Sequence, residues 1–215
     1  GHGVSLIGGN TSASRRDMNI TTTILGETPP EELVLRKGAR PGELIFVTGS
    51  LGDSGLGLKA LKSGYPKKTY AHAIKKHLDP EARVLAGRLL AKKRIPTAMT
   101  DISDGLIADL KHIMDQGRVG AEVFIEKLPL SDSLKKHLPN GLKLALTGGE
   151  DYELLFTAAE EKTLEIKRFS DKLGLPITAI GQITGRTQVL GLIDNKGRSI
   201  KLRQDGFEHF ALPRR

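Results

Sequence analysis

The 215-residue chain has no cysteine and no tryptophan, and aromatic residues make up only 4% of it. Without cysteine, disulfides and thiolate metal sites are excluded, and the composition fits a reducing compartment. With so few rings, the core has to be built from Leu, Ile, Val and Ala. No apolar run approaches the roughly 20 residues that a membrane-spanning helix needs. The opening "GHGVSLIGGN" lacks the basic and apolar regions of a signal peptide, and it lacks an initiator Met. There is no G-x-x-x-x-G-K-[ST] phosphate loop and no G-x-S-x-G nucleophile elbow. The six histidines (2, 72, 77, 112, 137, 209) show no metal-ligand spacing. His72 and His77, five apart, fall off a common helical face, and the histidines read as surface or packing residues.

Hydrophobic residues at 38% and charged residues at 27% are enough for a sizeable core. The net charge is +8, from 33 basic and 25 acidic residues. The basic residues come in short pairs such as Arg15-Arg16, Lys67-Lys68 and Lys135-Lys136, with no aromatics interleaved. That pattern is solvated surface charge rather than a nucleic-acid face.

Along the chain, "GVSLIGG" and "MNITTTILGE" read as two strands, the second from its run of Thr and Ile. Residues 28–42 hold three prolines and two glycines and read as a linker. From residue 43 onward, strands and helices interleave. "ELIFVTG", "PTAMTD", "AEVFIE", "YELLFT", "ITAIGQIT", "QVLGLID" and "SIKLR" are the strands. "DSGLGLKALKSG", "KKTYAHAIKKHL", "EARVLAGRLLAKK", "DGLIADLKHIMDQG", "SDSLKKHL" and "AEEKTLEIKRFSDKLG" are the helices. Val84, Leu85, Leu89 and Leu90 are expected on one face. Leu106, Ile107, Leu110, Ile113 and Met114 keep a 3.6-residue period, and Ser131 is placed to cap a short helix. The fold class is therefore α+β, a mixed α/β domain with a mixed sheet and packed helices.

Four loops could carry chemistry. In "TDISDGL", Asp101 and Asp104 bracket a strand-to-helix turn with Ser103 between them. Such a hard-oxygen cluster beyond a strand suits Mg²⁺. It equally suits a helix cap at Asp104 and a turn at Asp101. In "TGGEDYELLF", two glycines present Glu150 and Asp151 ahead of a strand, either as a polar turn or as a ligand-facing loop. "IGGNTSAS" offers Gly9 and Asn10 in a glycine turn that could cradle phosphate. "TGSLGDSGLG" has the character of a phosphate loop, but its glycines also suit close helix–sheet packing.

Taken in order, "GVSLIGGNTSAS", "LRKGARPGELIFVTGSLGDSGLGL", "TAMTDISDGLIADLKHI", "LTGGEDYELLFT" and "DGFEHF" carry a resemblance. The chain resembles the thiamine-monophosphate kinase family of the aminoimidazole-ribonucleotide-synthetase-like ATP-binding superfamily. The resemblance runs from Gly3 to about Phe210, and "D-x-S-D-G-L" with "G-G-E-D-Y-E-L" is its most specific part. It implies transfer of the γ-phosphoryl group of ATP to thiamine monophosphate, with ATP as co-substrate and several Mg²⁺ ions. It implies Gly9, Asn10, Arg36 and Ser103 as nucleotide contacts. Asn10, Asp101 and Asp104 would be metal ligands, and Glu150 and Phe207 substrate contacts.

The family usually has Asp where this chain has Asn10, so one metal position would carry less charge. The family's acidic N-terminal segment has no counterpart here. The expected division is residues 1–27 as strands left from an N-terminal ATP-binding and dimerisation domain, 28–42 as a linker, and 43–215 as the C-terminal α/β domain. The resemblance also implies a cytoplasmic homodimer at full length, with no nucleic-acid or membrane partner. Two alternatives remain open: another ATP-dependent synthetase or dikinase of the superfamily, and a non-enzymatic nucleotide-binding or self-associating module.

Overall fold

In the computed structural model, which describes residues 3–137 and 140–200, seven strands form one mixed sheet in the order β2-β4-β1-β5-β3-β6-β7. The strands are β1 (Leu44–Thr48), β2 (Ala98–Asp101), β3 (Gly120–Phe124), β4 (Leu154–Ala158), β5 (Ile177–Thr184), β6 (Leu190–Ile193) and β7 (Ser199–Ile200). Only β3 and β6 run parallel; the other neighbours are antiparallel. The helices are α1 (Asp53–Lys62), α2 (Ala71–Leu78), α3 (Val84–Lys92), α4 (Leu106–Gly117), α5 (Asp132–Lys135), α6 (Asn140–Thr147) and α7 (Thr163–Leu173).

The central strands are buried on both faces, which is why "LIFVT" and "LLFTA" read as continuous apolar runs. Alternate residues serve different layers. Ile45, Val47 and Leu155 pack into the larger core with Leu56 of α1, the apolar stripe of α4 and Leu146 of α6. Phe46 and Phe156 face the other way, onto Leu90 of α3 and Ile166 and Phe169 of α7. These two phenylalanines are register partners on β1 and β4, and their rings stack at 5.3 Å. All five residues of the α4 stripe are buried as expected.

Several expectations are corrected. The two leading strands do not form: residues 3–29 contain no strand, and Leu6 and Ile7 are 95% and 85% exposed. Strand propensity stabilises a strand only where a neighbour pairs with it, and none of the described residues does so here. Residues 28–42 are more than a linker. The Met99 N–H donates to the Leu35 carbonyl and Ala39 enters the core, so this segment covers the outer edge of β2. Val84 and Leu85 are exposed; Ala86, Leu90 and Ala91 form the buried face of α3. Helix α6 was not expected from the sequence. Ser131 does cap α5, its Oγ accepting the Leu134 N–H at 3.1 Å.

The glycines of α1 serve close packing. A Cβ on Gly57 would lie 2.1 Å from the Ala73 carbonyl oxygen of α2. Gly57→Ala therefore trades a helix-propensity gain of about 1 kcal/mol against overpacking of roughly 1–3 kcal/mol. The expected outcome is a lowered thermal midpoint. A raised midpoint would mean that α2 moves away freely.

Candidate functional site

The loops before β4 and after β2 form one backbone unit. Ile102 N–H donates to the Glu153 carbonyl, while Tyr152 N–H and Glu150 N–H donate to the carbonyls of Ile102 and Ser103, each at 2.8 Å. This extends the β2–β4 ladder beyond the sheet and aligns "ISDG" with "GGEDYE". Contact is close enough to demand glycine. A Cβ on Gly149 would meet the Ser103 oxygen at 2.5 Å, and one on Gly105 would meet the Thr147 carbonyl carbon at 2.9 Å.

The three acids of "GEDYE" reach different parts of the fold. Glu153 is fully buried. The Arg83 guanidinium donates to both its oxygens at 2.7 Å, Lys76 Nζ to Oε1 at 2.9 Å, and the Thr48 hydroxyl to Oε2 at 2.7 Å. Burial alone would raise its pKa, but the bonds from Arg83, Lys76 and Thr48 outweigh this and hold the carboxyl below its ordinary value. Asp151 is also buried, and it accepts the Gly52 and Ser54 N–H groups at 2.6 and 3.2 Å. It therefore caps α1 from about a hundred residues away. Burial pushes its pKa up to about 7; those two N–H groups oppose the rise, and the charges of Asp53 and Glu153 add to it. Glu150 is left half-exposed, its Oε2 lying 3.3 Å from His77 Nδ1.

On the facing loop, Asp104 is not the helix cap. Helix α4 starts at Leu106, and no side chain caps it from the preceding Gly105. Instead Oδ2 of Asp109, within the first turn, accepts the N–H groups of Ser103, Asp104 and Gly105 at 3.0–3.1 Å. Burial raises the Asp109 pKa, the Asp104 and Ser103 N–H groups lower it, and the charges of Asp104 and Asp101 push it up again. Ligand atoms of Asp104, Asp109 and His112 all lie within 4.8 Å of one another.

A cavity of about 670 Å³ opens between these loops and α1. Ser103, Asp104 and Glu150 line it, together with Ser54, His77 and Tyr152. Three sequence-predicted site residues thus share one cavity. Asp101 is exposed at the end of β2 and does not line it. Arg36 lies against the same strand, its Nε donating to Thr100 Oγ1 at 3.1 Å. Gly9 and Asn10 sit in the exposed leading stretch and do not line the cavity, and Phe207 lies outside the described residues. The glycine-rich "GSLGDSGLG" is a packing element whose helix N-terminus Asp151 already occupies. Residues 40–192 match the family described as AIR synthase related protein, C-terminal domain.

The chain belongs to the AIR synthase related family.

Within that family, it is 39% identical over 215 residues to thiamine-monophosphate kinase of Salmonella typhimurium, covering 98% of this chain and 65% of that protein. The Bacillus subtilis thiamine-monophosphate kinase is 35% identical over 212 residues, covering 96% of this chain and 65% of its own length. The chain thus spans about two thirds of the length of these curated relatives, 65% in both cases. Among solved structures, thiamine-monophosphate kinase from Stenotrophomonas maltophilia K279a superposes with a TM-score of 0.70 at 33% identity, covering 78% of this chain and 54% of that one. AaThiL complexed with AMPPCP and TMP superposes with a TM-score of 0.69 at 36% identity, covering 82% and 54%. For this AIR synthase related domain, the α+β class and the mixed sheet agree with those neighbours.

Sequence reasoning missed His77, Lys76 and Arg83. Their partners Glu150 and Glu153 lie more than sixty residues away, and no local spacing signals the pairing, although Arg83 also meets its near neighbour Glu81. Glu153→Gln would leave two cations facing a neutral group and is expected to cost about 3–5 kcal/mol, read from denaturant unfolding at pH 7. Because the Glu153 pKa is depressed in the fold, this wild-type advantage should disappear as pH falls through that depressed value. Asp151 has the opposite sign, since its folded pKa is raised from 3.8 to about 7. Its contribution weakens as pH rises between those values. The stability of the native chain relative to Asp151→Asn should therefore decline from pH 4 to pH 7 and level off above. A difference that grew with pH would refute the buried, readily protonated assignment.

Proposed function

We propose that this protein is an ATP- and Mg²⁺-dependent kinase that phosphorylates thiamine monophosphate to thiamine diphosphate. The observation that carries this reading is the shared cavity: Ser103, Asp104 and Glu150, from two neighbouring loops, line one space. A nucleotide-and-metal side and an acceptor side can then meet across a single space. The identity to thiamine-monophosphate kinases and the likeness to a structure holding AMPPCP and TMP support it.

The residues suit a hard cation. Asp104 and Asp109 offer carboxylate oxygens at ligand spacing, and Asp101 adds negative charge nearby. Asp101, Asp104 and Asn10 are assigned as the metal ligands. Bound there, Mg²⁺ would offset the repulsion between donor and acceptor phosphates. Gly9, Asn10, Arg36 and Ser103 are assigned to the nucleotide. Thr100 fixes Nε of Arg36, so its terminal amino groups are the ones left for a phosphate. Glu150 and Phe207 are assigned to the acceptor. Glu150 would face the cationic ring, and the Phe207 ring suits a flat heterocycle. The acceptor phosphate oxygen is already a nucleophile, so positioning replaces covalent catalysis.

The same reading carries a homodimer and a cytoplasmic setting. It assigns residues 1–27 to the nucleotide-binding and dimerisation half and 43–215 to the C-terminal domain, with the segment between them packed on the edge of that domain. The exposed apolar side chains of residues 3–29 agree with that division. Among the described residues no helix is long and apolar enough to cross a membrane.

The test is thiamine diphosphate formation from ATP, Mg²⁺ and thiamine monophosphate, with the protein at the length its gene encodes. Turnover is expected, and Asp104→Ala should lower it by roughly a hundredfold or more, as for loss of a group that stabilises transferring charge. Absence of product from the native enzyme would overturn the reading. Undiminished turnover in Asp104→Ala would overturn the metal assignment.

A further inference from the structure

Glu150 has a problem that burial does not solve. Its side chain is 55% exposed, and its backbone sits at φ 66°, in the left-handed region. A carboxylate on an exposed tether samples several rotamers, and ordering it costs up to about 1.5–2 kcal/mol. Something has to aim it into the cavity.

We propose that His77 is the positioning residue for Glu150, and that it does so with the proton on Nδ1. His77 is only 15% exposed. Its Nδ1 lies 3.0 Å from Ser54 Oγ and 3.3 Å from Glu150 Oε2, so two oxygens crowd one ring nitrogen. If the proton were on Nε2, an Nδ1 lone pair would lie 3.3 Å from the carboxylate with no proton to offset the repulsion. With the proton on Nδ1, that N–H is donated to Ser54 Oγ, and the positive end of the N–H dipole lies beside the carboxylate oxygen 3.3 Å away. The stem of the His77 side chain is held close to α1. A Cβ on Gly57 of α1 would come within 3.0 Å of His77 Cβ, so α1 and α2 are in close contact there. The neighbouring Lys76 is tied to Glu153.

The contacts close into a cycle. Asp151 fixes the Ser54 backbone, the Ser54 hydroxyl meets His77, and His77 meets Glu150, the residue before Asp151. A carboxylate held by a cycle is pre-organised for a cation. The substrate class that benefits is a cationic heteroaromatic phosphate, and this part rests on the function proposed above.

The experiment has two arms. In the first, ¹⁵N NMR of the histidine rings in this chain at pH 8.5 reads the tautomer directly. His77 is expected to carry its proton on Nδ1 in the native chain and to lose that preference in Glu150→Ala. An Nε2–H ring in both would overturn the proposal. In the second, kinetics at full length separate positioning from packing. His77→Ala is expected to raise KM for thiamine monophosphate about fivefold to tenfold, with KM for ATP within about twofold. His77→Asn places an amide N–H near the Nδ1 position and should restore most of the loss. An unchanged KM in His77→Ala, or an equal defect in His77→Asn, would overturn the positioning role. If the native enzyme makes no thiamine diphosphate, the proposed function falls while the NMR arm still decides the contact.

Discussion

The buried carboxylate of Glu153 is the constraint on which the site depends. It takes four hydrogen bonds, from the end of β1 (Thr48), from α2 (Lys76) and two from the residue before α3 (Arg83). A lone charge in that position would be expelled at a cost of several kcal/mol. Paired in this way, it becomes a fastener between elements that are otherwise only neighbours. Thr48 passes the constraint on, because its Oγ1 also accepts the Leu154 N–H at 2.8 Å. Helix α2 is thus tied to the first residue of β4, and the loop from Gly148 to Glu153 is held at its C-terminal end.

That anchoring explains how one short loop carries acids with unlike environments. Glu153 is held ionised by two cations, Asp151 is readily protonated among N–H donors and like charges, and Glu150 meets solvent. The differences come from what each side chain faces, not from residue type. They also resolve the tension between a net charge of +8 and a site rich in acids. Much of the basic excess lies on exposed residues such as Lys67, Lys68 and Lys135, while Asp109, Asp151 and Glu153 point inward.

Much of the fold was legible in the sequence because it is written locally. The α4 stripe, the Ser131 cap and the apolar runs of β1 and β4 are periodic or positional signals within a dozen residues. What was not legible depends on distant partners. The leading Thr-rich stretch has strand composition but no neighbour to pair with among the described residues. Val84 and Leu85 look like core and are not, because the buried face of α3 turns Ala86 and Leu90 inward. The site was half legible for the same reason. Ser103, Asp104 and Glu150 stand in recognisable motifs, whereas Asp109 reads as an ordinary helix residue until its three backbone donors are seen. Asp104 looked like the natural cap for α4; Asp109 takes that work, and Asp104 faces the cavity instead.

The backbone of the acidic loop argues that its shape serves the cavity rather than stability. Glu150 and Tyr152 both adopt left-handed conformations, at φ 66° and 50°, on either side of the buried Asp151. Each such non-glycine residue costs roughly 1 kcal/mol or more. Glycine would relieve that strain, and the chain supplies glycine at positions 148 and 149 immediately before. Yet positions 150 and 152 carry a carboxylate and a phenol, and both residues line the cavity. Strain tolerated beside available relief, at positions that face the same space, is expected where the side chain is needed more than the conformation is comfortable. The bonds from Glu153 and Asp151 supply the over-determination that lets it persist. The loop is rigid at the buried residues so that it can be strained at the exposed ones.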